Sequence, residues 1–212
     1  LEAAQGYKPG RGQLREIREH VTAELLPRAF VKRRLTYVWV DPINRWLVVD
    51  AASAAKADEV VEQIKRALDA LPLLPLRTAL APSTAMTEWL AAGEAPTGFT
   101  IDRDCELRSM AEEKATVRYT RHLLEGDEIR HHLEAGKRAT RLALTWSDRI
   151  SFVLSEDLQV KRLAFLDMLK EQSEQSAGDG GDTFEADFAI MSGELAGFLD
   201  GLVEALGGEA EA

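Results

Sequence analysis

Two runs of alternating residues, each folded back on itself at a turn, limit most strongly what this sequence can fold into. Residues 35–40 and 45–50 alternate, are rich in β-branched and aromatic residues, and flank the turn sequence Asp-Pro-Ile-Asn. Residues 141–146 and 150–155 repeat this arrangement around a turn at residues 147–149. Such alternation beside turn residues is typical of antiparallel hairpins. The chain is therefore expected to contain antiparallel sheets.

Helical periodicity accompanies these hairpins, because apolar residues recur every three or four positions in several other segments. Helices are predicted at residues 13–26, 54–71, 83–89, 127–135, 165–172 and 182–206, with a flexible linker at residues 176–181. Further strands are predicted at residues 73–80, 99–102, 105–110, 115–119 and 159–164. The predicted fold class is α+β, with antiparallel hairpins and sheets against which the helices pack.

The predicted elements suggest three segments. Residues 1–34 form a basic loop-and-helix segment, residues 35–110 a first sheet-and-helix unit, and residues 111–212 a second unit with an acidic C-terminal helix. The turn after Trp39 resembles the turn after Trp146, since each carries an Asp and an Arg. The two units are either related by duplication or alike by chance, because Trp and Asp are common beside hairpin turns.

Composition excludes several classes of protein. A hydrophobic content of 45% is enough to bury a core. The single cysteine, Cys105, excludes an internal disulfide, fits a reducing compartment, and is expected to be a buried thiol. No apolar run approaches the ~20 residues of a membrane helix. The chain begins without Met or a signal-peptide pattern, and we interpret it as a fragment.

Charge is distributed unevenly along the chain. The net charge is −10, but residues 155–212 carry 3 Lys and Arg against 14 Asp and Glu, which leaves 23 against 22 elsewhere. Residues 1–34 carry 8 basic and 4 acidic residues. Because the local field governs the binding of polyanions, the acidic total does not exclude nucleic acid.

Two groups of basic residues are candidates for contacts with DNA phosphates, which hold a backbone without reading its bases. The alternative is an ordinary solvated surface with internal ion pairs. The second group lies where the predicted strand 115–119 opens into a loop. The candidates are Lys8, Arg11, Arg15, Arg28, Lys32, Arg33 and Arg34 in the first group, and Arg118, Arg121 and His122 in the second.

Phe30 follows Pro27 in a predicted loop. A loop phenylalanine is either packed into its own core or, if exposed, marks a contact with another protein. The apolar stripe of the C-terminal helix is explained first by core packing, with self-association as an additional use.

Catalytic patterns are weak in this sequence. Glu112 and Lys114 fit half of a metal-dependent nuclease site, with Asp102 or Asp104 as the second carboxylate, but so short a pattern arises by chance. The adjacent histidines at 131–132 point about 100° apart on a helix and do not converge on a metal. Nor is there a glycine-rich phosphate loop. No catalytic residue, metal site or cofactor is therefore predicted.

Short blocks distributed along nearly the whole chain resemble the RdgC family of recombination-associated proteins, in the family's order and spacing. No single block is diagnostic, but together they are specific. The blocks lie at residues 25–30, 38–41, 47–54, 86–90, 132–137, 161–163, 184–188 and 204–210.

The resemblance implies a ring-shaped homodimer that encircles double-stranded DNA without marked sequence preference and restrains the RecA recombinase, directly or by occluding DNA. It implies a cytoplasmic, nucleoid-associated protein without enzymatic activity, and a longer N-terminal region than this chain has. Phe30 and the C-terminal region are then the candidates for closing the dimer. Three alternatives stay open: a protein-interaction module with a basic surface, the nuclease, and a scaffold that needs its missing region.

Overall fold

The computed structural model describes residues 8, 10–68, 71–111, 114–166 and 183–210, and it confirms the α+β class. Strands β1 and β2 form a two-stranded sheet, while the other strands form a five-stranded antiparallel sheet in the order β4-β3-β5-β6-β7. The helices are α1 (Arg11–Leu25), α2 (Ala54–Ala67), α3 (Pro82–Ala92), α4 (Asp127–Glu134) and α5 (Thr183–Ala205). The strands are β1 (Val38–Asp41), β2 (Trp46–Val49), β3 (Phe99–Ser109), β4 (Thr116–Tyr119), β5 (Lys137–Trp146), β6 (Ile150–Ser155) and β7 (Val160–Phe165).

The chain divides into two compact units. One comprises Leu1–Val38 with Val48–Ile64, and the other comprises Trp39–Leu47 with Lys65–Ala212. The three segments expected from the sequence stay a prediction beside this division. Within the described residues, no helix is both long and apolar enough to cross a membrane.

The five-stranded sheet has two chemically different faces, because successive side chains of a strand point to opposite sides. In β3, Cys105 and Leu107 are buried in the core, while Glu106 and Arg108 point to the other face. Helix α3 covers the core face: the Ser83 hydroxyl donates to the Ala139 carbonyl at 2.8 Å. We call the opposite side the polar face.

Helix α5 closes the core through one aromatic cluster. Phe198 is fully buried, and its ring meets Phe152 edge-on with 4.8 Å between centroids. The Trp146 ring lies edge-on to Phe198 and directly against the helix at Gly197 and Gly201. Only a residue without a side chain lets the indole approach the helix backbone this closely.

The local predictions were largely confirmed. Both hairpins are present, and the Asp41 carboxylate accepts the backbone N–H groups of Ile43 (2.9 Å) and Asn44 (3.0 Å) in the first turn. The Asn44 side-chain amide also donates to this carboxylate, at 2.8 Å. The backbone and side-chain bonds from Asn44 are the main reason that the pKa of Asp41 lies below its ordinary value. Helix α3 ends at Gly93, which adopts a left-handed conformation with φ of 71°.

Three predictions were wrong. Residues 73–80 form no regular strand, and only Thr78 makes an isolated bridge, to Glu209. The two strands predicted at 99–102 and 105–110 are one strand, β3, whose pairing with β5 is interrupted between Ile101 and Cys105. The helix predicted from Phe165 is wrong at its start, because Phe165 ends β7. The rest of that helix and the linker lie outside the described residues.

We predict that Gly201→Ala lowers the free energy of unfolding by about 1–2 kcal/mol, because overpacking a core outweighs the gain from removing a helical glycine. A Cβ at residue 201 would lie 3.0 Å from Trp146 Nε1. Gly193→Ala is the matched control: nothing lies within 4 Å of its Cβ, so it should stabilise the helix. Urea unfolding measures both, and a stable Gly201→Ala protein would contradict this packing.

Candidate nucleic-acid interface

The polar face of the five-stranded sheet carries arginines around one buried carboxylate. Glu106 of β3 lies opposite Arg118 of β4 and Arg141 of β5, so the three side chains share this face. Glu106 is only 4% exposed, whereas the side chain of Arg118 is 64% exposed. The arrangement follows from the register of three neighbouring strands.

Both oxygens of the Glu106 carboxylate are satisfied. Oε2 accepts hydrogen bonds from Arg118 Nη2 at 2.5 Å and Nε at 3.2 Å. Oε1 accepts from the Thr140 hydroxyl at 2.9 Å and, at 3.4 Å, from Arg108. Burial acts to raise the pKa of Glu106, but the bonds from Arg118 and Thr140 and the charge of Arg141 outweigh it and lower the pKa. The carboxylate is therefore ionised at neutral pH and holds Arg118 in place.

Other cations of the polar face are not neutralised. Arg138 lies directly opposite Arg108 across β3 and β5. Like charges facing each other destabilise a sheet, and Arg108 is compensated by Glu106 and by Glu156 at 2.8 Å. Within the described part of the chain, no carboxylate lies within ion-pair distance of Arg138 or Arg141. Both are exposed and available to an anion.

The loop after β4 carries two of the predicted DNA-contacting residues, Arg121 and His122. Asp104 accepts the backbone N–H of Arg121 at 2.7 Å, and its other oxygen lies 3.9 Å from Arg162. Among the residues described, the Arg121 side chain has no ion-pair partner and is exposed. The His122 ring packs against Tyr119 at 5.3 Å and contacts the Leu123 carbonyl at 2.7 Å through Nδ1. The structure thus places Arg118 on the polar face, whereas the His122 ring lies against Tyr119, which packs on the core side of β4.

The basic segment of the other unit, residues 8–34, is exposed along its described length except at Gln13 and Ile17. Arg15 pairs with Glu19 at 2.8 Å, but both side chains are largely solvated and the pair contributes little. For the other predicted cations there, the described residues supply no ion-pair partner: Lys8, Arg11, Arg28, Lys32, Arg33 and Arg34.

Phe30 is fully exposed within this basic segment. Leu26, Val31 and Leu35 beside it are also largely exposed, and α1 has no buried residue. Of the two uses predicted for Phe30, packing into its own core is therefore wrong, and an exposed contact with another protein stays a prediction.

The nuclease residues form no recognisable metal site in the described structure. Asp102 accepts bonds from the Thr145 hydroxyl, and burial raises its pKa. Glu112 lies outside the described residues, and those residues contain no group of three or more His, Cys, Asp or Glu side chains placed to hold a metal. Cys105 is buried, which confirms the predicted buried thiol, and burial raises its pKa to about 12.

Sequence reasoning missed Glu106, Arg108, Arg138 and Arg141. The alternation of Cys105 and Leu107 with Glu106 and Arg108 was the available signal. It shows which residues share a face, but the neighbours of Glu106 depend on the register with β4 and β5. The pairing of distant strands cannot be read from a single sequence.

Comparisons with known proteins connect this chain to one family. A family model described as "Putative exonuclease, RdgC" matches residues 1–209. The recombination-associated protein RdgC of Dechloromonas aromatica is 61% identical over 213 residues, which cover 99% of this chain and 70% of that protein. The protein of the same name from Cupriavidus pinatubonensis is 57% identical over 212 residues, covering 100% and 71%. That from Bordetella pertussis is 51% identical over 209 residues, covering 99% and 70%.

We predict that Glu106→Gln lowers the free energy of unfolding at about pH 7 by about 1–3 kcal/mol, because Arg118 loses a charged acceptor. The cost should shrink with acidification. The pKa of Glu106 in the folded protein lies below its ordinary value of 4.5, so its carboxylate stabilises the folded state at pH values above 4.5. This stabilisation is lost as the pH falls through the folded pKa. Urea unfolding at about pH 7 and about pH 3 tests this. Glu156→Gln, at an exposed ion pair, is the control; a pH-independent cost at Glu106 would contradict the assignment.

Proposed function

Because this chain belongs to the RdgC family of recombination-associated proteins, we propose that it binds double-stranded DNA without reading its sequence. In this proposal the polar face and the basic segment contact phosphates, and the bound protein restrains RecA-dependent recombination by limiting access to DNA. The protein acts in the cytoplasm on the nucleoid and catalyses no reaction.

The polar face is the observation that carries this proposal. Arg138 and Arg141 are exposed without an ion-pair partner in the described structure, and Arg118 is anchored by a buried carboxylate. Guanidinium groups held on a rigid sheet match the geometry of phosphate oxygens. Contacts to phosphates hold a duplex without reading its bases, so recognition of the backbone is the proposed use of this face.

We further propose that the protein acts as a homodimer that closes around the duplex. Phe30 and its exposed apolar neighbours supply one contact, since an exposed phenylalanine gains from burial against a second copy. The C-terminal region supplies the other, where Phe184 and Phe188 of α5 are both exposed. Encirclement would slow dissociation even where each phosphate contact is weak.

DNA binding should weaken steeply with salt, because each phosphate contact releases counterions. A salt-titrated assay on linear and closed-circular duplexes of one sequence tests this. We expect the protein to stay bound longer to circles than to linear duplexes after a high-salt wash, because a closed ring can slide off the end of a linear duplex.

Arg121→Ala should weaken binding about equally on unrelated sequences, with Lys65→Ala on α2 as the control. A flat salt dependence or a loss confined to one sequence would contradict the proposal.

Phe30→Ser should weaken dimerisation while leaving the fold intact, because the exposed ring makes no contribution to its own core. Sedimentation across a concentration series measures the association, and circular dichroism checks the fold. Ile43→Ser removes a similarly exposed apolar side chain from the β1–β2 turn and should leave association unchanged. Unchanged association of Phe30→Ser, or its unfolding, would each count against the proposed contact.

The description of the family model favours a nuclease as the second candidate function. A nuclease should cleave the same duplexes when a divalent ion is added, and this cleavage should be lost in Glu112→Gln and in Lys114→Ala. Intact DNA under those conditions supports a binding protein. Failure to bind DNA at all at physiological salt would instead support the protein-interaction module.

A further inference from the structure

Two arginines of the polar face, Arg108 and Arg118, are already bound by the protein's own carboxylates. Glu106 binds Arg118 and Arg108, and Glu156 binds Arg108 at 2.8 Å. These two glutamates and two arginines carry no net charge together. The cations of this network therefore contribute less to the attraction of DNA than their number indicates.

A carboxylate and a phosphate compete for the same guanidinium donors. Arg118 gives Nε–H and one Nη2 proton to Glu106, and a guanidinium has five N–H donors in total. The remaining donors can reach a phosphate, since the side chain is 64% exposed. The charge of Arg118 is nevertheless compensated before DNA arrives, so that contact releases fewer counterions.

We propose that Glu106 acts as an internal phosphate mimic, which lowers the affinity of the polar face for duplex DNA by occupying Arg118 and Arg108. This inference rests on the proposed DNA-binding function and deepens it. If Glu106 acts in this way, the polar face presents ordered hydrogen-bond donors but binds each phosphate with only moderate affinity.

Arg141 is the internal comparison. It lies opposite Glu106 on β5, but no carboxylate among the described residues lies within ion-pair distance of it. Glu106 feels the charge of Arg141, which lowers the pKa of that carboxyl, but Arg141 gives it no hydrogen bond. Arg141 is therefore compensated less than Arg118 and should release more of a counterion when a phosphate binds. Arg118 and Arg141 thus differ in compensation while sharing one face and one neighbour.

The test compares single variants of the full chain in duplex-binding titrations across a salt series. One full phosphate contact changes the slope of log K against log salt by about 0.9, or about fivefold in affinity at about 0.15 M salt. We expect Glu106→Gln to tighten binding about fivefold and to steepen the slope by about one. Arg141→Ala should weaken binding by more than about twofold and up to about fivefold, and Arg118→Ala by less than about twofold.

Glu88→Gln is the matched control, since it removes the same charge from α3, which packs on the core face. An equal gain in Glu88→Gln would mean that net charge alone matters and would overturn the inference. Weaker binding by folded Glu106→Gln would overturn it too, because the carboxylate would then only position Arg118. If Glu106→Gln fails to fold, equal losses in Arg118→Ala and Arg141→Ala still refute it. No salt-dependent binding by the unmodified protein would overturn the proposed function itself.

Discussion

The pairing of β3 with β5 is the interaction on which the larger unit depends. It pairs residues that lie 28 to 47 positions apart in the sequence. It places Leu107 against Ala139 on the core side, while Glu106 meets Arg141 on the other. A slip of one residue would exchange these two sets of side chains. The apolar core and the ordered arginines of the polar face are therefore consequences of one register.

Elements whose cause is local could be predicted from the sequence. The hairpin at Asp41 follows from side-chain bonds within its own turn, and the end of α3 follows from Gly93. The errors arose where pairing with residues distant in the sequence determines the secondary structure. Residues 73–80 meet the C-terminal residues at a single bridge, and β3 continues through its irregularity because β5 holds both halves. Phe165 looked helical until its pairing with Ile150 placed it in β7.

The candidate interface was predictable to the same extent. Charge clustering is visible in the sequence, so Arg118 and Arg121 could be named without a structure. Whether a charge is free or compensated depends on its neighbours in space, which is why the role of Glu106 was not foreseen. The structure therefore changes the interpretation of Arg118 from a simple phosphate ligand to one member of a neutral network.

The backbone hydrogen bonds between residues 77–80 and 206–210 determine when the larger unit can finish folding during synthesis. Ala79 donates to the Gly208 carbonyl and Leu80 to that of Leu206, each at 2.9 Å, and the Leu206 side chain is fully buried. Residues 206–210 are synthesised after every strand of the five-stranded sheet. Hence the larger unit cannot complete its core until these residues have left the ribosome, and until then the nascent sheet keeps part of its apolar surface uncovered.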